Sequence, residues 1–292
     1  MRTELHNGAL NVSIDSHGAE LRSLTKDGRE YMWSGDKTYW GRVSPILFPL
    51  VGSLKGKAYL DRGLVYPMGQ HGFARDMEFS LVFRDETCAV FALESSDETL
   101  EKFPYAFYLE VSYRLTEDAL EVGWKVENPG KENLHFSIGA HPAFLCQMGQ
   151  DSFRIYEEVP GIGDLVAANG LVCGILGADG TLSDKTVGLE LEEGELPITQ
   201  ELFEEDALIV ENPFVKRVAL ADARGKEYLK VDFDTPLFGL WSPAGKKAPF
   251  VCIEPWYGRC DAKDYNGEWK DREYGNTLAP GETFETRYSI TV

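Results

Sequence analysis

The sequence predicts many short strands and almost no helix. Apolar or alternating segments recur along the chain, and turn residues such as glycine, asparagine and aspartate separate them. Short strands at this spacing favour an all-β sandwich or barrel over an α/β fold. The predicted strands cover residues 10–14, 20–24, 78–83, 89–93, 107–115, 120–126, 134–138, 189–191, 207–210, 217–220, 228–233, 250–254 and 284–291.

Helical patterns are limited to residues 97–103 and 199–204, with one or two turns each. A chain of 292 residues could form two domains by length, but all-β domains often run larger. No linker is evident. The glycine-rich residues 161–180 are interpreted as a surface excursion, and residues 192–195 as a solvated acidic turn. We therefore predict one domain over residues 1–292.

The chain is strongly acidic. Its 29 basic and 48 acidic side chains give a formal net charge of −19. A field of that sign repels nucleic acids and anionic lipid surfaces, so we expect neither as a partner. No apolar run approaches the roughly 20 residues of a membrane helix, and the first residues lack the apolar core of a secretion signal. These features predict a cytoplasmic protein.

The cysteines predict neither a disulfide framework nor a zinc site. Their number is odd, they are scattered, and no Cys-x-x-Cys pair occurs. We expect most to be buried thiols in a reducing compartment. The histidines at 71 and 141 are 70 residues apart in the sequence, and no cluster of cysteine and histidine accompanies them, so no metal is expected.

Glu254 is the strongest candidate for proton chemistry. It follows the apolar run 251–253 and precedes Pro255, which favours an extended backbone at Glu254. A carboxylate at the end of a buried strand and beside aromatic residues is partly desolvated, which raises its proton affinity. The alternative interpretation is a structural ion pair with Arg259.

His141 follows a second apolar run, residues 136–140, and it also precedes a proline. An imidazole at the end of a buried strand can donate a hydrogen bond to a ligand oxygen. A hydrogen-bonded core histidine is the alternative. His71 opens a turn in which Gly72 permits close backbone approach or a positive φ.

Two arginines could bind a hydroxyl cluster or a phosphate. Arg75 closes the His71 turn, and its alternative role is a structural pair with Asp76 or Glu78. Arg42 lies in an apolar segment with two prolines, residues 39–49, which we predict to be rigid and buried. A buried arginine needs a partner, so its alternative role is an ion pair without a ligand.

In this order, the motifs HGFAR (71–75), HP (141–142) and EPW (254–256) resemble those of the aldose 1-epimerase (galactose mutarotase-like) family. The resemblance extends over nearly the whole chain and is strongest for the branch with the His-Gly-Phe-Ala-Arg loop. It implies a large twisted antiparallel β-supersandwich with few short helices. It also implies a sugar substrate and no cofactor, because anomer interconversion involves no redox step.

The resemblance also implies roles for individual residues. A histidine like His141 is the general acid that protonates the ring oxygen, and a glutamate like Glu254 is the general base. A histidine like His71 binds the sugar. Asp206 resembles the aspartate that binds hydroxyl groups, although Glu204 and Glu205 are adjacent rivals.

An arginine like Arg42, together with this loop, also occurs in relatives that act on hexose 6-phosphates. There the arginine is followed by Gly-Gly, whereas Val43 and Ser44 follow it here. The expected function is therefore an aldose 1-epimerase, with a hexose-6-phosphate 1-epimerase as the alternative. A non-catalytic sugar-binding protein and a polysaccharide lyase or glycosidase are further alternatives. We expect a monomer or a homodimer.

Overall fold

A computed structural model describes all 292 residues. The strands, in chain order, are β1 (Arg2–His6), β2 (Leu10–Asp15), β3 (Glu20–Lys26), β4 (Arg29–Glu30), β5 (Ile46–Leu47), β6 (Ala58–Asp61), β7 (Leu64–Pro67), β8 (Ser80–Arg84), β9 (Cys88–Glu94), β10 (Tyr108–Leu115), β11 (Ala119–Glu127), β12 (Leu134–Phe136), β13 (Ile138–Ala140), β14 (Ala143–Leu145), β15 (Ser152–Glu158), β16 (Leu165–Ala167), β17 (Gly170–Leu176), β18 (Leu182–Glu190), β19 (Glu195–Pro197), β20 (Leu208–Val210), β21 (Val215–Ala221), β22 (Glu227–Phe233), β23 (Leu237–Trp241), β24 (Phe250–Tyr257), β25 (Asn276–Leu278) and β26 (Thr283–Thr291).

Helices are few, as expected. One α-helix, α1 (Asp97–Lys102), begins after Ser96, whose hydroxyl accepts from the Thr99 N–H while the Thr99 hydroxyl accepts from the Ser96 N–H. Short 3₁₀ turns cover Lys55–Lys57, Ala74–Asp76, Glu201–Phe203 and Trp269–Asp271. The helix predicted at residues 199–204 is therefore one 3₁₀ turn. No helix has both the length and the apolar character that a membrane crossing requires.

Two large antiparallel sheets form the sandwich. The ten-stranded sheet has the order β16-β15-β21-β22-β26-β11-β10-β9-β8, with β19 beside β15. The eight-stranded sheet has the order β18-β17-β20-β23-β24-β13-β5, with β14 also paired to β24. A core of 64 buried hydrophobic residues draws on both sheets. The all-β sandwich prediction is confirmed.

The eight-stranded sheet has two different faces, because side chains alternate along a strand. On β24, Val251 and Ile253 belong to the main core. Cys252 and Trp256 belong instead to two small hydrophobic clusters on the other face. Glu254 has the same parity as those two residues and therefore lies on this second face. The cavity described below is built over this second face.

Three predictions about local structure are wrong. Residues 134–138 form two strands in different sheets, β12 and β13, with a break at Ser137. Residues 161–180 are not merely a surface excursion, because they contain β16 and β17, and β17 pairs with both β18 and β20. Glu254 does not end its strand, because β24 continues to Tyr257. The predicted turn at residues 192–195 is present, with Glu192 bridged to Glu195.

Candidate active site

His141 and Glu254 face each other on neighbouring strands. Gly139 lies opposite Trp256, and Ala143 lies opposite Cys252, so the common register places His141 opposite Glu254. Neither Pro142 nor Pro255 has an N–H to donate, and the ladder of β24 with β13 and β14 is interrupted between them. Directly opposed side chains in antiparallel strands are close neighbours, and here Nδ1 of His141 lies 3.4 Å from Oε1 of Glu254.

Tryptophan rings enclose this pair. The Trp40 ring stacks on the His141 imidazole at a centroid distance of 4.7 Å, and Trp241 meets the same imidazole edge-on at 5.3 Å. Trp256 lies across the neighbouring strand, because a Cβ atom at Gly239 would be 2.4 Å from its ring. The rings leave the imidazole little freedom to rotate.

The His71 turn brings a second imidazole to the site. His71 has φ 65° and Gly72 has φ 70°, and a Cβ atom at Gly72 would lie 2.3 Å from the Phe48 carbonyl oxygen. The predicted close approach at Gly72 is therefore present. The ring centroids of His71 and His141 are 5.6 Å apart. The backbone N–H of Gly52 donates to Nδ1 of His71 at 3.1 Å, so the neutral ring carries its proton on Nε2.

These residues line one cavity of about 200 Å³, hereafter the inner cavity. Pockets for drug-sized ligands measure about 300–1,000 Å³, so this volume suits a smaller ligand such as one sugar ring. The lining residues are Trp40, Gly52, Gln70, His71, Arg75, His141, Leu176, Gly180, Asp206, Ala207, Ile209, Trp241, Glu254, Trp256 and Cys260.

Burial controls the protonation of the opposed pair. Glu254 is 1% exposed. Burial raises the pKa of its carboxyl well above the usual value, and the nearby Asp206 carboxylate raises it further. Burial lowers the pKa of His141 to about 3, and the positive charges of Arg75 and Arg42 act in the same direction. Burial therefore favours the uncharged forms of both groups in the free site, a protonated carboxyl on Glu254 and a neutral imidazole on His141.

His71 is also neutral at physiological pH. Burial lowers the pKa of its imidazole well below the usual value, and His141, Arg75 and Arg42 lower it further. A neutral imidazole with its Nδ1 already occupied by Gly52 can offer only an Nε2–H donor to a ligand.

Four buried polar atoms of the inner cavity have no hydrogen-bond partner in the protein. They are Nδ1 of His141, Oε2 of Glu254, Nε1 of Trp256 and Nε of Arg75. Only seven such side-chain atoms occur in the whole protein, so most of them are concentrated around this one cavity. Buried polar groups are nearly always paired in native proteins, and this concentration therefore indicates a polar ligand.

The two arginines occupy different positions. Arg75 lines the inner cavity and donates to the Gln70 carbonyl at 2.7 Å. Its Nε also lies 3.8 Å from Asp76, so the ion pair considered as its alternative role is present. Burial lowers the pKa of Arg75 to about 10, with a further contribution from the charge of Arg42. Arg42 does not line the cavity. Its side chain is 32% exposed and pairs with Asp76 at 2.7 Å, so the prediction that it is buried is wrong, although it does have the ion-pair partner considered for it.

The three adjacent acids at 204–206 do not all face the inner cavity. Asp206 has φ 73° and lines the inner cavity, whereas Glu204 and Glu205 line only the wider space outside it. The Asp206 carboxylate has no hydrogen bond or ion pair of its own. Glu254 is not paired with Arg259, because Arg259 binds Glu211 and Glu273 instead.

Sequence reasoning missed several parts of the site. The walls contributed by Trp40, Trp241 and Leu176 come from loops or strands distant in the sequence. No local motif marks them, because only the folded arrangement of the eight-stranded sheet and its loops brings them together. Gly52 was also missed, since its contribution is a backbone N–H that any residue carries.

Cys252 lies near the opposed pair. Ligand atoms of His141, Cys252 and Glu254 lie within 4.8 Å of one another, a spacing that could accommodate a metal ion. Burial, however, raises the pKa of the Cys252 thiol well above its usual value, which disfavours the thiolate that metal binding needs. All five cysteines are buried and free, as expected.

The fold is a β-supersandwich, and a histidine and a glutamate face each other in a small cavity on one face of its eight-stranded sheet. The sequence model of the Aldose 1-epimerase family matches residues 1–291. The chain belongs to this family.

The chain is 31% identical to Protein LacX of Lactococcus lactis, in both its plasmid and chromosomal forms, with 100% of this chain and 99% of LacX covered. A galactose mutarotase related enzyme from Lactobacillus acidophilus has a similar structure, with a TM-score of 0.90 and 31% identity over 100% of this chain and 97% of that chain. A galactose mutarotase-like protein from Lactobacillus casei gives a TM-score of 0.89 at 29% identity, over 100% and 99% of the two chains.

Proposed function

We propose that this protein is an aldose 1-epimerase that interconverts the α and β anomers of a hexose. The observation that carries the proposal is the set of unpartnered buried polar atoms around a cavity of single-sugar size. The hydroxyls and ring oxygen of a cyclic sugar can satisfy both the donors and the acceptors in this set.

The reaction needs one proton removed from the anomeric hydroxyl and one delivered to the ring oxygen. These two oxygens are bonded to the same carbon, so the base and the acid must be close together. Glu254 and His141, with 3.4 Å between Oε1 and Nδ1, meet this requirement. We assign Glu254 as the general base and His141 as the general acid. Ring opening, rotation about the C1–C2 bond and closure from the other face then give the opposite anomer.

The pair reaches its reactive form without exchanging protons with solvent. In the free site the pair holds one proton, and burial favours its place on Glu254. The reactive form has the same proton on His141, leaving Glu254 ionised. The two groups titrate as a coupled pair, and a bound sugar stabilises the charged arrangement because its hydroxyls bond to both groups.

His71 and Asp206 orient the sugar. We assign the Nε2–H of His71 as a donor to a sugar oxygen, since the Gly52 N–H occupies its other nitrogen. The unpaired Asp206 carboxylate accepts from hydroxyl groups on the side of the cavity that opens outward. Holding the ring in one pose brings the anomeric carbon to the acid and base.

The proposed reaction is expected to need neither cofactor nor metal, because two proton transfers and the reversible cleavage of the bond between C1 and the ring oxygen involve no change of oxidation state. Protein dialysed against EDTA is expected to keep its full rate. Loss of the rate and its recovery with one added divalent ion would show instead that His141, Cys252 and Glu254 bind a metal.

A hexose 6-phosphate is the second candidate substrate, and Arg75 is the observation that favours it. Its guanidinium lines the inner cavity, and its Nε has no hydrogen-bond partner, although it lies 3.8 Å from the Asp76 carboxylate. A guanidinium can bind a phosphate through two parallel hydrogen bonds. We favour the free hexose, because Arg42 is already paired with Asp76.

Polarimetry tests the proposal. Freshly dissolved α-anomers of free and 6-phosphorylated hexoses are followed with and without protein. We expect a faster first-order approach to anomeric equilibrium for at least one sugar. Binding without any acceleration across the panel would identify a non-catalytic sugar-binding protein.

The cellular setting and assembly are also proposals. Five buried free thiols suit a reducing compartment, and we propose that the protein acts in the cytoplasm. We expect a monomer or a homodimer, which analytical ultracentrifugation distinguishes.

A further inference from the structure

Three potential metal ligands lie together at the opposed pair. Cys252 and Glu254 have the same parity on β24, and His141 faces Glu254 from the neighbouring strand. The sulfur of Cys252, a ring nitrogen of His141 and a carboxylate oxygen of Glu254 all lie within 4.8 Å of one another. A thiolate, an imidazole and a carboxylate are the side-chain groups that bind Zn²⁺ in proteins.

We propose that His141, Cys252 and Glu254 form an inhibitory zinc site, in which Zn²⁺ takes the place of the proton that the opposed pair holds. The ion is not required for the reaction and stops it when bound. The inhibition rests on the proposed function, because it removes the acid and the base of anomer interconversion. The binding of the ion rests on the geometry alone.

The spacing of the opposed pair suits zinc. Zn–N and Zn–O bonds of about 2.0–2.2 Å at a tetrahedral angle place their two ligand atoms roughly 3.4 Å apart. Nδ1 of His141 and Oε1 of Glu254 are already 3.4 Å apart. A Zn–S bond of about 2.3 Å requires the sulfur roughly 3.6 Å from each of the other two ligand atoms. Since no pair exceeds 4.8 Å, the Cys252 thiol has only a short distance to move.

The ligand atoms of the pair are free to bind an ion. Nδ1 of His141 and Oε2 of Glu254 have no hydrogen-bond partner, and both side chains are more than nine-tenths buried. A donor set that contains sulfur and imidazole nitrogen favours zinc over magnesium or calcium, which prefer oxygen ligands. Three protein ligands leave the fourth tetrahedral position for water or a sugar oxygen from the inner cavity, which His141 and Glu254 line.

The charge balance also suits the site. Binding releases two protons, one from the opposed pair and one from the Cys252 thiol. The ion then has two anionic ligands, a carboxylate and a thiolate, so the net charge of the buried site is zero before and after binding and no uncompensated charge is buried. Burial raises the pKa of the thiol, which weakens the affinity without preventing binding, because metal ions displace protons from their ligands.

Zinc inhibition of the mutarotation rate tests the site. Protein that has been treated with EDTA and freed of it is assayed by polarimetry with added ZnCl₂, and MgCl₂ is the control salt. We expect zinc to slow the reaction reversibly and magnesium to have no effect. Cys252→Ala should raise the inhibition constant for zinc by at least about tenfold and leave the zinc-free rate unchanged. Cys173→Ala removes an equally buried thiol on β17 and should retain wild-type inhibition.

Cadmium reports binding without an assay of activity, because a cadmium–thiolate bond absorbs in the ultraviolet. We expect one equivalent of CdCl₂ to produce this absorption band in the wild-type protein, and added zinc to remove it. Cys260→Ala, which lacks the thiol that lines the inner cavity, should keep the band. Cys252→Ala should lack it, and Glu254→Gln should bind cadmium at least about tenfold more weakly.

Equal zinc inhibition of the wild-type protein and Cys252→Ala would overturn the proposal. A cadmium band that depends on Cys260, or no band in the wild-type protein, would overturn it as well. If Cys252→Ala does not fold, Glu254→Gln decides, and unchanged cadmium affinity in that variant would reject the site. A cadmium band that zinc removes, in a protein without any mutarotation, would support the zinc site while contradicting the proposed reaction.

Discussion

Two buried groups of polar residues lie on or near β24, and they differ in whether their polar atoms have hydrogen-bond partners. In the first, which we call the paired cluster, the charges of Arg259, Asp261 and Arg272 all have partners. Arg272 donates to Asp261 at 2.7 Å and to the Arg259 carbonyl at 2.6 Å, and Asp261 also accepts from the Lys55 N–H at 3.0 Å. In the second, the opposed His141 and Glu254, each side chain retains a buried polar atom without a partner.

This difference in hydrogen bonding distinguishes a structural cluster from a functional site. Leaving a buried polar atom unpaired costs about 1–3 kcal/mol, and the paired cluster avoids that cost with hydrogen bonds. The opposed pair keeps its unpaired polar atoms and bears that cost. A ligand that forms hydrogen bonds with these atoms would remove it. Such local departures from good pairing are typical of functional sites. Burial alone does not distinguish the paired cluster from the opposed pair, because both are buried.

The largest effect is expected from Glu254→Gln, which should lower the mutarotation rate by about 10²–10⁴-fold. The amide retains the shape of the side chain but cannot accept the anomeric proton. Sugar binding should be largely unchanged, and calorimetry serves as the control. A polarimetric rate within about twofold of wild type would exclude Glu254 as the base.

Within the paired cluster, Arg272→Met should destabilise the protein by about 3–5 kcal/mol, because it leaves Asp261 as an uncompensated buried charge. Urea unfolding measures the loss. The matched control is Lys263→Met, which breaks an exposed pair with Asp184 and should cost no more than about 1 kcal/mol. Similar losses for both variants would show that the paired cluster contributes no more than a surface ion pair.

Arg75→Met tests which ligand completes the cavity. For a neutral hexose, we expect KM to rise by a similar factor, roughly 2- to 10-fold, for free and phosphorylated sugars, since one net hydrogen bond is lost. Arg42→Met is the control and should have a smaller effect, because Arg42 does not line the cavity. A selective KM increase for the phosphorylated sugar, with a weaker salt dependence, would favour the hexose 6-phosphate instead.

A further effect concerns the stability of the protein and its dependence on pH. The pKa of Glu254 is raised in the folded state, so its stabilising contribution is complete below the unfolded pKa and is lost as the pH rises towards the folded pKa. Glu254→Gln has no such dependence. It should be more stable than wild type at neutral pH, by about 0.5–2 kcal/mol.

Urea unfolding at several pH values tests this dependence. The advantage of Glu254→Gln should grow from weakly acidic to weakly alkaline conditions. A difference that stays constant with pH would indicate that Glu254 does not carry its proton in the folded state.

The sequence predicted the all-β class because alternating burial is a local property of each strand. It also singled out His71, His141 and Glu254, since each has a neighbour that restricts or frees the backbone. It could not predict that Glu254 lies within β24, because a proline usually disfavours the interior of a sheet. Here Pro255 is tolerated since Pro142 interrupts the same ladder, and such a match is visible only once the register is known.

The tryptophan walls of the inner cavity have a spectroscopic consequence. Three of the six tryptophans, Trp40, Trp241 and Trp256, line it. Indole emission responds to the polarity around the ring, and a sugar entering this space replaces water against all three. The protein thus carries its own fluorophores at the site, and a titration of unlabelled sugar can be followed by their emission alone. The same signal is available in Glu254→Gln, where binding continues after the reaction has been removed.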